Sequence, residues 1–182
     1  MLAGVTVKDR VPALVASSAA ELAAEQARVA VLVASAAIRN RWDATLEPDQ
    51  RRRLVRLGHF PQYSAELDWT PRDVAGHLRD SATVFTDRIR RMCNEHEPLL
   101  PDFVTDAPER LADYRSVHPV DLADQLRTAQ AGLLATVLAV RGDQLDRVGV
   151  HAVDGRLSVA DVLAFLPGHQ RDHADQLAAL LS

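Results

Sequence analysis

Between Pro12 and Arg39 the chain carries neither glycine nor proline, and Leu22, Val29, Leu32, Val33 and Ala36 return at helical spacing. A stretch that long and that periodic has to bury one stripe against other helices. It predicts a helix from about Val11 to Arg39. Three further segments read the same way. Thr70-Pro71-Arg72-Asp73 supplies an N-cap, a proline at the first helical position and an acid three residues after the cap. Val74, Leu78, Ser81, Phe85, Ile89 and Met92 then mark one face, up to Asn94–Glu97 before Pro98. Pro119 opens a third helix, with Leu122, Leu126, Ala129, Leu133, Val137 and Val140 on one face as far as Arg141, and Gly142 ends it. Ser158-Val159-Ala160-Asp161 repeats the capping pattern and starts a last helix to about Leu181.

The connections are less regular. Pro48 to Leu57 reads as a short helix stopped by Gly58, and Phe60-Pro61 to Leu67 as a loop. Pro98, Pro101 and Pro108 make an irregular link with one helical turn from Pro108 to Tyr114. Asp154-Gly155 between Val148-Gly149-Val150 and Arg156-Leu157 suggests a small hairpin. The expected fold is all-α: one domain over residues 1–182, a four-helix bundle with a short extra helix and a small hairpin. The long second connection leaves simple up-down-up-down topology open.

Apolar residues make up 47% of the chain but aromatic ones only 4%, so the core is mainly Ala, Leu and Val, which suits helix packing. A net charge of −4 argues against a nucleic-acid partner. Cys93 is the only cysteine, so neither an internal disulfide nor a cysteine-based zinc cluster can form. Lys8 and Arg10 precede an apolar run from Val11 to Ala20, but that run passes into Glu21 and Glu25 with helical period and reads as helix, not signal peptide. No apolar stretch reaches the roughly 18–20 residues that span a bilayer. The expectation is a cytoplasmic protein with a small-molecule substrate and no membrane.

Histidines carry the chemistry. His169 and His173 are four apart on the last helix, which puts their side chains one turn apart on one face. They fall in the stripe Val162, Leu166, His169, His173, Leu177, Leu180, where apolar residues belong. His77 lines up with Val74, Ser81 and Val84 and faces inward too. Two imidazoles from one helix and one from another make a three-ligand set that leaves a coordination position open, as catalytic sites do. The spacing alone also allows three core histidines bonded to carbonyls.

Other residues are weaker candidates. Asp80 and Asp172 could accept a ligand's ring N–H, or act as ordinary helix acids. Arg88, eleven residues after His77, could bind a substrate carboxylate or reach solvent. Cys93 lacks a partner in sequence, and a nucleophilic role is not expected of it. His59, His96, His118 and His151 sit in or near loops and are expected to be exposed. Arg51-Arg52-Arg53 with Arg56 read as a solvated helix face. Pro167-Gly168, just before His169, should kink or break the last helix and open space beside the ligands.

At these residues the chain resembles the DinB/YfiT-like superfamily of metalloenzymes. The resemblance rests on the run from Asp68 to Asp80 (DWTPRDVAGHLRD), Pro98 to Phe103 (PLLPDF), and Gly168 to Leu177 (GHQRDHADQL), and it is weakest over residues 40–67. It implies a four-helix bundle of up-down-down-up order. It implies a divalent metal on His77, His169 and His173, with zinc or nickel expected first and iron next. Related members are mycothiol-dependent maleylpyruvate isomerase and bacillithiol or mycothiol S-transferases. The resemblance therefore points to a thiol-dependent S-transferase or isomerase, in which a metal-bound water or thiolate reacts, and a homodimer is consistent with it. Two alternatives stand beside it: a metal-dependent hydrolase, and a non-enzymatic, stress-related protein that binds metal or a ligand without turnover.

Overall fold

A computed structural model describes residues 7–59 and 64–182, with side chains described from Ala13 onward. Among them lie six α-helices: α1 (Val7–Ile38), α2 (Pro48–Arg56), α3 (Pro71–Asn94), α4 (Pro108–Ser116), α5 (Pro119–Leu138) and α6 (Val159–Leu181). The three strands β1 (Leu99–Leu100), β2 (Val148–His151) and β3 (Gly155–Ser158) form one small sheet, and Ser64–Asp68 and Gly142–Gln144 are 3-10 turns.

The predicted caps form. Thr70 Oγ1 accepts from the Asp73 amide at 3.3 Å while Asp73 Oδ2 accepts from the Thr70 amide at 3.1 Å. Ser158 and Asp161 repeat this exchange at 3.1 and 2.9 Å at the head of α6. Each reciprocal pair satisfies donors the first turn cannot use itself. Several expected boundaries shift. α1 starts four residues before Val11, because nothing from Val7 to Arg10 opposes a helix. α5 stops at Leu138, ahead of Arg141, and Gly142 begins a 3-10 turn. The turn expected at Pro108 extends to nine residues. The loop expected up to Leu67 is a 3-10 turn from Ser64, and its Phe60–Tyr63 part lies outside the described residues.

Of the kink or break expected at Pro167, the break does not occur: α6 runs through it as one helix. Leu163, Leu166 and Pro167 are all buried there. Their packing outweighs the roughly 3 kcal/mol that an interior proline costs a helix. Beside it, a Cβ on Gly168 would meet nothing within 4 Å.

β1 was hidden by its prolines. Its two residues pair in parallel with β2, Leu99 with Val150 and Leu100 with His151, and β2 pairs antiparallel with β3. Gly149 makes this possible: a Cβ there would stand 2.6 Å from Leu100 Cδ1.

α1 packs on α5 and α6, and α3 packs on the same two, so α1/α3 and α5/α6 are the diagonals. Glu25 meets Arg171, and Arg39 reaches the Leu181 carbonyl, so α1 and α6 run the same way. Arg79 reaches Gln125, and Cys93 meets Gln144 just past α5, so α3 and α5 also run together. His77 lies against His169 and Phe85 against Phe165, so α3 opposes α6. The first and fourth long helices thus point one way and the second and third the other. Parallel neighbours need a connection that returns the length of the bundle, which β1 and α4 provide between α3 and α5.

Two apolar clusters span the four long helices, and a small third one joins Leu54 of α2 to Leu67. Of the first two, one takes Leu22, Ala82, Leu133 and Leu166 from the four long helices; the other takes Val29, Leu78, Leu126 and Ala174. Between these residues along each helix lies buried polar material: Gln26, Ser81, Gln130 and Gln170. His77, His169 and His173 sit at this seam. No described helix is long and apolar enough to cross a membrane.

Candidate metal centre

His77 stands two turns into α3, while His169 and His173 stand one turn apart on α6. Because α3 and α6 are antiparallel neighbours, the three rings converge. One ring nitrogen from each lies within 4.8 Å of the others. The Nε2 atoms of His77 and His169 are 3.0 Å apart. Adjacent nitrogens bound at ~2.1 Å to one ion stand about 3.0–3.4 Å apart, so this spacing fits shared ligation. His77 and His173 are 2% and 1% exposed and His169 is half-buried, so the site opens on the His169 side.

Burial keeps all three rings neutral, which is the state a metal requires. Desolvation pushes His169 down to about 4. It also holds His77 well below the usual histidine value, with the neighbouring histidines and Arg110 adding to the effect. His173 is lowered by burial first and by His169 next. His77 Nδ1 is buried without a hydrogen-bond partner among the described residues. Ser81 Oγ, which donates to the His77 carbonyl at 2.6 Å, lies 3.1 Å from His77 Nε2.

Gln176 settles the orientation of His173. Its Nε2 donates to the Glu66 backbone carbonyl at 2.5 Å, and a carbonyl can only accept. Its Oε1 therefore faces His173 Nδ1, at 3.0 Å, so that nitrogen carries the proton. His173 Nε2 is then the acceptor nitrogen turned to the centre, the arrangement that orients metal-binding histidines elsewhere.

Glu66 is the site residue that the sequence reading missed. Its Oε2 lies 3.6 Å from His173 Nε2, and its Oε1 accepts from Thr105 Oγ1 at 2.9 Å. Only 5% of the residue is exposed, and burial pushes its carboxyl up to about 7. Its only signal in the sequence was an acid three residues ahead of the Trp69-Thr70-Pro71 start of α3. Trp69 covers the site from the same segment, with its ring 4.8 Å from that of His77 and stacked on His173 at 6.0 Å.

The other predicted candidates go elsewhere. Asp80 accepts from Arg79 at 2.8 Å, Arg110 at 2.6 Å and Tyr114 at 3.1 Å, and no bond joins it to a ligand ring. Two guanidiniums outcompete a neutral imidazole for a carboxylate. Asp172 binds His59 Nδ1 at 2.6 Å instead of a ligand ring. His59 is accordingly half-buried between Asp172 and Asp175, not exposed. Arg88 is 9% exposed; its Nη2 donates to the Pro101 carbonyl at 2.7 Å and meets His151 Nε2 at 2.9 Å. It neither reaches solvent nor enters the three-histidine cluster. His151, also expected to be exposed, is 5% exposed, since β2 carries it against Arg88. His96 and His118 are exposed as expected, with His118 capping α5. Arg51 and Arg52 pair with Asp68 and Asp49 at the surface.

A model of the DinB superfamily matches residues 9–177 of the chain. Among solved structures, YfiT from Bacillus subtilis, described as a probable metal-dependent hydrolase with an unusual four-helix bundle topology, aligns with a TM-score of 0.57. The two are 18% identical, over 86% of this chain and 85% of that one, a likeness of fold. No curated protein matches the chain.

Proposed function

The chain belongs to the DinB superfamily, and from that premise we propose that it is a metal-dependent enzyme acting on a small molecule. In this reading His77, His169 and His173 hold a divalent ion, and Glu66 takes the proton of the attacking nucleophile. The observation that carries it is the buried Glu66 carboxylate, 3.6 Å from the nitrogen that His173 turns to the centre. The ion supplies Lewis acidity, polarising the substrate and easing release of the nucleophile's proton. Zinc or nickel suits three imidazoles best, and iron is accommodated by the same donors.

The residues divide the work. Gln176 holds His173 by its side chain and Glu66 by its backbone, so ligand and proton acceptor keep one spacing. Thr105 fixes the far oxygen of Glu66 and leaves Oε2 facing inward. Trp69 and the surrounding apolar core keep water from the ligands on the closed side.

Hydrolysis is the leading reaction. Water gives up its proton far less readily than a thiol, so a carboxylate placed at the site matters most for water. A thiol-dependent S-transferase or isomerase, with mycothiol or a similar small thiol as cosubstrate, is the second reading. Three neutral ligands leave the charge of the ion undiminished, which suits a thiol as well.

The test is a screen of zinc- and nickel-loaded protein against activated esters and amides, and against small thiols paired with a chlorodinitrobenzene electrophile. Glu66→Gln should lower the active rate by about 10²–10⁴-fold with metal content unchanged. A Glu66→Gln rate equal to that of the wild type would remove Glu66 from the chemistry. A protein that takes up metal but turns over neither class would leave the non-enzymatic binding role in its place.

A further inference from the structure

Among the described residues, four aromatic side chains stand against the three histidines: Trp69 and Phe103 against His77, and Phe85 and Phe165 against His169. Trp69 belongs to the closed side. Phe85 and Phe165 belong to the open side, with His169. Phe165 is one turn before His169 on α6, and their ring centroids are 5.4 Å apart. Phe85 reaches the same place from α3, 6.1 Å from His169 and 5.6 Å from Phe165.

The three rings touch one another in a closed triangle, too tight for a guest between them. They form a platform, not a slot. Phe165 is 49% exposed, so much of its apolar surface contributes nothing to the core. Gly168, three residues after Phe165 and next to His169 in the chain, is itself unobstructed, since a Cβ there would meet nothing within 4 Å. Small-molecule sites combine apolar lining with a few placed polar groups, and here the exposed Phe165 ring stands directly against the His169 ring.

We infer that the Phe85–Phe165 platform receives an aromatic or flat apolar group of the substrate and delivers the reacting bond to the open side of His169. The substrate class is therefore a compound whose reactive polar group is joined directly to a planar apolar body. The inference rests on the metal reading above. Aromatic groups lie on such platforms offset or edge-on, which orients them as well as holding them.

Two hydroxamates separate the questions. Both chelate a site metal through the same head group; acetohydroxamate carries a methyl and benzohydroxamate a phenyl ring. Calorimetric titration of the zinc- or nickel-loaded full chain should give benzohydroxamate at least tenfold tighter binding. Phe165→Ala should bring the ratio of the two dissociation constants close to one, with acetohydroxamate affinity and metal content unchanged. Phe165→Lys, a surface change that keeps side-chain bulk, should do the same. A ratio near one in the wild type, or a ratio that both Phe165 variants leave intact, overturns the platform. Failure to take up metal, or failure to bind acetohydroxamate at all, sinks the metal reading instead, and the platform with it.

Discussion

Gln176 is hydrogen-bonded to His173 through its Oε1 and to the Glu66 carbonyl through its Nε2, so one fully buried amide holds a candidate ligand and a candidate base together. Replacing it by leucine removes the acceptor that Gln176 offers the His173 ring and one of the two donors to the Glu66 carbonyl, which keeps the Trp69 amide at 3.2 Å. A lost buried hydrogen bond of this kind costs about 1 kcal/mol. Gln176→Leu should lower the midpoint of chemical denaturation and weaken metal binding by roughly 10–100-fold, read by competition with a chromophoric chelator. Gln176→Glu keeps an acceptor for His173 but loses the donor to Glu66, so it should retain more metal affinity than Gln176→Leu. Equal affinities in the two variants would mean that the bond to His173 does not matter.

His169 is the most accessible of the three histidines, so its removal disturbs the core least. His169→Ala should keep the helical circular-dichroism signal and lose the bound metal in elemental analysis of untagged protein. Full metal occupancy in this variant would show that the ion sits elsewhere.

Removing the metal should lower the melting temperature of the wild type and leave that of His169→Ala unchanged. The shift follows from binding to the folded state only, and reaches about 4 kcal/mol when free metal is a thousandfold above its dissociation constant. Scanning calorimetry with and without a chelator measures it. An unchanged melting temperature in the wild type counts against a site that is assembled in the fold.

Gly76 has a packing role that is independent of the site. A Cβ there would lie 2.2 Å from the Tyr114 ring, which is fully buried and donates to Asp80. The ring cannot retreat without giving up that bond. Gly76→Ala should cost about 1–3 kcal/mol, against the gain an alanine normally brings to a helix interior. Urea denaturation decides the sign.

Cys93 is half-buried on α3, and desolvation pushes its thiol above the usual cysteine value. Only the thiolate reacts with iodoacetamide. The alkylation rate should stay low at neutral pH and rise through a midpoint above that of a free cysteine. A rate profile matching free cysteine would show that the thiol is not screened.

The helices were legible because helical phase and capping are local. Thr70 and Asp73, or Ser158 and Asp161, need only each other to start a helix, and the stripe that carries His77, His169 and His173 inward can be counted residue by residue. Pro167 shows the limit of a local rule: a break is allowed there, and the burial of Leu163 and Leu166 keeps the helix whole. β1 was invisible because two leucines between prolines become a strand only when Val150 and His151 are beside them.

Sequence by itself determined that three histidines on two helices face the interior and that the chain has the four long helices to surround them. Tertiary structure alone decided which polar groups join them. Glu66 enters from a 3-10 turn 107 residues before His173 in the chain, a relation no periodicity encodes. Asp80, Asp172 and Arg88, each plausible by helical face, are drawn off by Arg110, His59 and the Pro101 carbonyl, which lie on other segments of the chain. Helical phase tells a side chain which way to point; the partner it meets depends on which distant segment the packing brings to that point.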